Sequence, residues 1–427
     1  MIVAFQKQSD YEAAVKQTRS DWSPPGELVT SFNSKLDGTF EIWSGNLADP
    51  AIMQIVKRIQ VLVPLFVEGG TLIDLEDPDV DRWTIFFLYQ KKPAAVEGGH
   101  PTYIFAGYST VYRFILPEVP KPLTPPTSPS PNNSTNNEDK TPDIQNLELS
   151  DDPDFDISTL PCRTRISQVV IIPPFQTKGL GSRLYRTMYA TYYAYAPTVE
   201  ITIEDPNEDF DDLRDIEDLH FLRTLPEFNA LKLNTAVEIP KGSAPAPTNI
   251  IDQAAAEAVR RKAKIVTRQF YRVLEMHLMS QLPESVRPEL EAPDEEEEEQ
   301  SSGKGKGKAP AKQPTKEEKH MYNLWRLYVK QRLYRHNKDA LGQFEVAERI
   351  EKLNDTLSGV EFDYSRLLIK ASQREKFRKA EAEAGSQATG GAAANGKRKL
   401  DDVADGESEG KAEAGSAKKA RVEEAKV

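Results

Sequence analysis

Residues 165–215 read RISQVVIIPPFQTKGLGSRLYRTMYATYYAYAPTVEITIEDPNEDFDDLRD, and this stretch decides the fold. Val169, Val170, Ile171 and Ile172 form a β-branched run closed by Pro173 and Pro174, the pattern of a strand buried on both faces. After the turn residues Gln176, Thr177, Lys178, Gly179, Leu180, Gly181 and Ser182, apolar side chains recur at Leu184, Met188 and Tyr192. A spacing of four places them on one helical face, so a helix starts at the glycines. Val199, Ile201 and Ile203 then alternate with Glu200, Thr202 and Glu204, as in a strand with one buried face, and the strand ends at Asp205-Pro206.

A glycine-rich turn that opens a helix aims unpaired N–H groups and the positive end of the helix dipole at one point, where an anion can bind. Gly179 and Gly181 let a diphosphate approach that backbone. Taken alone, the same glycines are better explained by a tight strand-to-helix turn with no ligand. Two other phosphate loops fit poorly: no Gly-Lys-Ser/Thr follows, and Leu184 stands where the dinucleotide fingerprint has its third glycine.

Gln176-x-x-Gly179-x-Gly181 behind a hydrophobic strand resembles the coenzyme motif of the GNAT N-acetyltransferase superfamily. The flanks narrow the likeness. RISQVVIIPPFQTKGLGSRLY with ITIEDPNEDFDDLRD, VEGGTLIDLEDPDVDRW at residues 67–83 and GYSTVY at 107–112 resemble the type B histone acetyltransferase catalytic subunits, from about Asp21 to about Leu225. The resemblance implies a mixed α/β fold with a splayed, mixed sheet flanked by helices, and acetyl-CoA as co-substrate with no metal. It also implies a lysine in the tail of newly made H4-type histone as acceptor, a WD-repeat histone-chaperone subunit as partner, and residence in nucleus and cytoplasm. In such a site Val169, Val170 and Ile171 hold the acetyl and pantetheine arm, and Gln176 to Ser182 hold the diphosphate. Asn207 makes a further coenzyme contact, and Tyr112, Arg113 and Phe114 line the groove for the tail. Ile216 stands where some relatives have a basic coenzyme contact. Relatives also carry a further N-terminal domain that contributes to histone binding; it is expected to be missing here, through loss or a truncated gene model.

A free lysine, with a pKa of about 10.4, needs a base before its amine can attack a thioester. Glu204, at the end of the strand beside the glycine-turn strand, is the first candidate, with Asp205 and Glu68 as alternatives. Alternation sends Asp205 to the opposite face unless the Pro206 turn redirects it. An N–H of the strand from Val169 to Ile171 is the expected oxyanion partner. An acetyltransferase of another protein or small amine, and a non-catalytic histone-binding scaffold, remain alternatives.

The chain of 427 residues has 29% charged and 38% hydrophobic residues and a formal net charge of -12. That balance argues against general nucleic-acid binding and suits a basic polypeptide substrate. Its one cysteine, Cys162, excludes an internal disulfide, fits a reducing compartment, and lies in a Pro-rich loop with no nucleophile signature. No signal pattern or membrane-length apolar run occurs, so the chain is expected to be soluble and intracellular.

Residues 1–116 are expected to form the first part of the catalytic domain, with a helix from Tyr11 to Arg19, a strand at Phe40 to Trp43 and a helix from Pro50 to Phe66. Strands follow at Trp83 to Tyr89 and at Tyr103 to Phe114, the second with a bulge or close approach at Gly107. Residues 117–163, rich in Pro, Ser, Asn and Asp, read as a disordered insertion. The core spans 164–237 and includes a helix from Asn207 to Phe221. One helix from about Thr248 to Leu278 follows, and residues 248–290 and 319–372 make a second, helical domain around a solvated linker at 291–318. Residues 373–427 are a disordered tail whose basic clusters, Lys397-Arg398-Lys399 and Lys418-Lys419-Ala420-Arg421, resemble a bipartite nuclear signal.

Overall fold

Six strands form one sheet in chain order in the computed structural model, which describes residues 22–34, 38–94, 99–116, 157–240, 245–288 and 313–390. β1 (Glu27–Ser34), β2 (Gly38–Asn46), β3 (Trp83–Lys92), β4 (Thr102–Ile115) and β5 (Cys162–Ile171) pair antiparallel, and β6 (Thr198–Ile203) joins β5 in parallel. This is the mixed α/β architecture expected from residues 165–215.

Between β2 and β3 lie α1 (Pro50–Ile59) and the single turn α2 (Val63–Phe66). Asp49 starts α1 by accepting hydrogen bonds from the amides of Ala51 and Ile52, beside a proline already set for a helix. The crossover from β5 to β6 is α3 (Leu180–Ala194), and α4 (Glu208–Leu222) and the short α5 (Pro226–Asn229) come after β6. The remaining helices are α6 (Gln253–Ala263), α7 (Thr267–Ser280), α8 (Lys316–His336), the one-turn α9 (Lys338–Leu341) and α10 (Val346–Gly390). No helix among the described residues is long and apolar enough to cross a membrane.

The sheet buries both faces. On one, Phe86, Val111, Ile166 and Ile201 pack against Leu184, Met188 and Tyr192 of α3. On the other, Ile85, Phe87, Tyr108 and Val170 pack against Ile52 and Val56 of α1. β3 is therefore buried without interruption from Ile85 to Gln90. β5 differs from its reading: buried and half-buried residues alternate along most of it, and Cys162, 3% exposed, begins the strand instead of lying in a loop.

Two bulges shape the site. In β4, Leu88 pairs with Gly107 and Tyr89 with Phe105, so Ala106 is the extra residue. The close approach at Gly107 is to β5: a Cβ there would lie 2.3 Å from the Val170 carbonyl oxygen. In β5, Thr110 pairs with Gln168 and Val111 with Ile166, leaving Ser167 unpaired. Past that bulge the alternation reverses. Ile166 faces α3, but so do Val169 and Ile171, whereas Val170 joins the α1 side.

The C-terminal helices do not build a core of their own. Leu324, Trp325, Leu357 and Tyr364 belong to the same buried cluster as Leu184 and Ile201, and one unit extends through Arg374. The single helix expected from Thr248 is two, because Lys264 turns left-handed at φ 56° and Ile265 forms a parallel bridge with Ile201. The linker at 291–318 ends early: Thr315 and Glu318 form a capping box for α8. Within the expected insertion, Ile157–Thr159 is a 3-10 turn and Cys162 opens β5, while 117–156 lie outside the described residues. Backbone helix continues to Gly390, where a disordered tail was expected from Gln373; the Ala-, Glu- and Lys-rich sequence there has high helix propensity. The helix at Tyr11 to Arg19 and both basic clusters lie outside the described residues.

His277 of α7 is 5% exposed and packs on Phe228 with ring centroids 4.5 Å apart. Burial, and then the Arg223 charge, push its pKa down to about 4. As pH falls, the unfolded chain takes up this proton first, at about 6.5. The stability His277 contributes is thus complete above about pH 6.5 and is lost as pH drops towards 4. His277→Gln is expected to flatten that part of the slope in urea denaturation; an unchanged slope would remove His277 from the pH response.

Candidate active site

β5 and β6 part company at the bulge. Their last paired residues are Ile166 and Ile203, and the Glu204 amide donates to the Ile166 carbonyl at 2.9 Å. Beyond this point β5 runs on to Ile171 while β6 has ended, so a gap opens between them. The Ile172 amide donates to Ala106 of β4 at 3.0 Å. Alternation along an antiparallel pair then turns the Val169 and Ile171 amides away from β4, toward the gap.

The turn into α3 borders the same gap. Gln176 Nε2 donates to the Ile171 carbonyl at 2.8 Å, tying the turn to the end of β5. Thr177 has φ 61° and Gly179 φ 77°, both left-handed, and the helix begins with no side chain capping it. Arg183 makes the first intrahelical bond, to Gly179 at 3.1 Å, so the amides of Leu180, Gly181 and Ser182 precede the ladder. The two glycines serve different ends. Gly179 supplies the positive φ, whereas a Cβ on Gly181 would meet Leu213 Cδ1 of α4 at 3.3 Å. Lys178 lies over the Phe175 ring at 5.9 Å and Arg183 over Phe32 at 5.2 Å, placing cations near the turn.

Glu204 stands at the other border. Ser167, the bulged residue, donates its hydroxyl to Glu204 Oε2 at 2.6 Å, and Arg165 Nη2 lies 3.5 Å from Oε1. The Arg165 guanidinium in turn lies over the Phe114 ring at 4.4 Å, Phe114 meets Tyr112 edge to face with centroids 4.6 Å apart, and Tyr112 meets Trp83 at a tilt with centroids 4.9 Å apart. An aromatic face thus leads to the carboxylate. Asp205 sits in the turn with φ 33° and is exposed. Glu68 is exposed in the loop after α2, three residues before Thr71, whose carbonyl accepts Gln168 Nε2 at 2.8 Å across β5.

Two expected site residues have other work in this structure. Arg113 faces the α3 side, donating to Tyr195 Oη at 3.1 Å and to the Asp81 carbonyl at 3.4 Å; neighbours in a strand point to opposite faces, so it does not share the groove of Tyr112 and Phe114. Asn207 caps α4, its Oδ1 accepting from the Phe210 amide at 3.0 Å. Ile216 is fully buried. Arg165, Ser167 and Trp83 are not legible in the sequence: Ser167 reaches Glu204 at the bulge, Arg165 through its pairing with Tyr112 and Thr202, and Trp83 has the pattern of an ordinary strand residue. Among the described residues, no group of three or more His, Cys, Asp or Glu could hold a metal ion.

Residues 2–68 match the family model described as histone acetyl transferase HAT1 N-terminus, and residues 215–283 match fungal HAT1, C-terminal. The histone acetyltransferase type B catalytic subunit of Neurospora crassa is 55% identical over 426 residues, covering 99% of this chain and 80% of that protein. Proteins of the same description from Gibberella zeae and Aspergillus oryzae are 46% identical over 432 residues (99% of this chain, 79% of theirs) and 34% identical over 389 (87% and 69%). The match at 2–68 falls within the expected first part of the catalytic domain. Its described part supplies β1, β2, α1 and α2 to the one sheet.

Proposed function

Because the chain belongs to the family of type B histone acetyltransferase catalytic subunits, we propose that it moves acetyl from acetyl-coenzyme A to a lysine amine in the N-terminal tail of newly made, H4-type histone. The observation that carries this reading is the gap between β5 and β6, with open helix amides on one border and a held carboxylate on the other.

The donor supplies an already activated thioester, so no covalent intermediate on the protein is needed. The residues fit such a donor. The amides of Leu180, Gly181 and Ser182 suit its diphosphate, and those of Val169 and Ile171 suit the amide groups of its arm and the charge that develops on the acetyl oxygen. Glu204 takes the proton from the lysine ammonium, directly or through a water, while Ser167 and Arg165 hold its position. Trp83, Tyr112 and Phe114 offer the methylene stem of that lysine an apolar wall. A WD-repeat histone-chaperone subunit as partner, and a presence in both nucleus and cytoplasm, complete the proposal.

Incubation of the full chain with acetyl-CoA and either an H4 tail peptide or polyamines, followed by mass spectrometry, tests it. Acetylation of a peptide lysine is expected. Transfer to polyamines in preference to the peptide, or no transfer at all, would overturn it.

A further inference from the structure

Helix α10 brings a cation to the turn that opens α3. Arg366 and Lys370 bind the Asp212 carboxylate of α4, at 2.8 Å from Arg366 Nη2 and 3.0 Å from Lys370, and His220 Nε2 lies 3.1 Å from the Ala371 carbonyl. These contacts fasten α10 along α4. Four residues beyond Lys370, Arg374 Nη1 lies 3.3 Å from Ser182 Oγ and 3.6 Å from Glu217 Oε1. Ser182 carries one of the amides that precede the α3 ladder, and it stands 192 residues from Arg374 in the chain. Glu217, with its side chain 1% exposed, is also approached by Arg186 of α3 at 3.5 Å. Two guanidinium groups therefore approach one buried carboxylate beside the turn. The Arg374 side chain is 41% exposed, and a guanidinium carries five donors.

The geometry points to Arg374 as a phosphate-binding residue for the coenzyme, contributed by a helix that lies outside the sheet. This rests on the coenzyme reading of the α3 turn. A planar guanidinium beside open helix amides matches a phosphate better than either would alone, through charge-assisted hydrogen bonds added to the helix dipole. Both the diphosphate and the 3′-phosphate of coenzyme A present that chemistry.

Calorimetric titration of the full chain with coenzyme A and with 3′-dephospho-coenzyme A, for the parent, Arg374→Ala and Arg374→Lys, tests the assignment. For Arg374→Ala the Kd for coenzyme A is expected to rise about tenfold, with most affinity kept in Arg374→Lys. A loss that extends to the dephospho ligand assigns Arg374 to the diphosphate, and a loss confined to coenzyme A assigns it to the 3′-phosphate. Equal affinities in parent and Arg374→Ala for both ligands overturn the inference. A loss that tracks a fall in melting temperature and is not relieved by lysine also overturns it. Failure of the parent to bind either ligand would instead overturn the coenzyme reading on which it stands.

Discussion

Glu204→Gln is expected to lower kcat for histone-tail acetylation by about 10²–10⁴-fold while leaving coenzyme affinity intact, the range that loss of a general base produces. The glutamine is isosteric and can still accept the Ser167 hydroxyl that now lies 2.6 Å from Oε2, so the geometry should persist and only the proton acceptor is lost. Asp205→Asn and Glu68→Gln discriminate between the candidates. Asp205 occupies the positive-φ turn, and among the described residues no hydrogen bond to its carboxylate compares with the one Ser167 makes to Glu204. Glu68 is exposed in the loop that Gln168 ties to β5 through Thr71. Single-turnover rates at saturating acetyl-CoA, compared with coenzyme Kd, decide the matter. If Glu204→Gln turns over at the parental rate and Glu68→Gln does not, the base is on the loop and the role proposed for β6 is wrong.

Arg332→Ala should cost about 3 kcal/mol of stability, near the lower end of what removing one partner of a buried ion pair costs, since Arg332 is partly solvated. Glu275 of α7 has its side chain 1% exposed and receives Arg332 of α8 in a fork, at 2.7 and 2.8 Å, with Tyr364 of α10 donating at 2.9 Å. Burial pushes the Glu275 pKa up, and the two donors oppose that. Without the arginine the carboxylate would keep one hydroxyl and lose its counter-charge. Adding Glu275→Gln to the variant should recover part of the loss, because the stranded charge goes with it. Urea unfolding of the parent, single and double variants gives the measurement. A cost below about 1 kcal/mol would mean that the fork is an ordinary surface pair and that the three helices are held by apolar contacts alone.

Much of the site was legible because its signals are local. The apolar spacing at Leu184, Met188 and Tyr192 placed α3, and all three are buried in the structure. The alternation of Val199, Ile201 and Ile203 placed Glu204 on the opposite face of β6, where it is exposed. The glycine turn announced an uncapped helix start, and α3 has one. What escaped depends on pairing. One extra residue, Ser167, reverses the faces of β5, and no periodicity within Arg165–Ile172 signals that count. Arg113 and Tyr112 are neighbours in sequence and were read together, but the sheet sends them to opposite sides.

By itself the sequence determined the strand, turn, helix and strand of residues 165–215 and the carboxylate at their end, since helical and strand periods and glycine conformations are properties of a few consecutive residues. Strand register and helix packing bring Ser167 and Arg165 to that carboxylate, seat the late helices in the core of the sheet instead of one of their own, and set Arg374 against Ser182. Each of these joins segments far apart in the chain, or turns on how two strands register, and such contacts leave no repeat for a local pattern to carry.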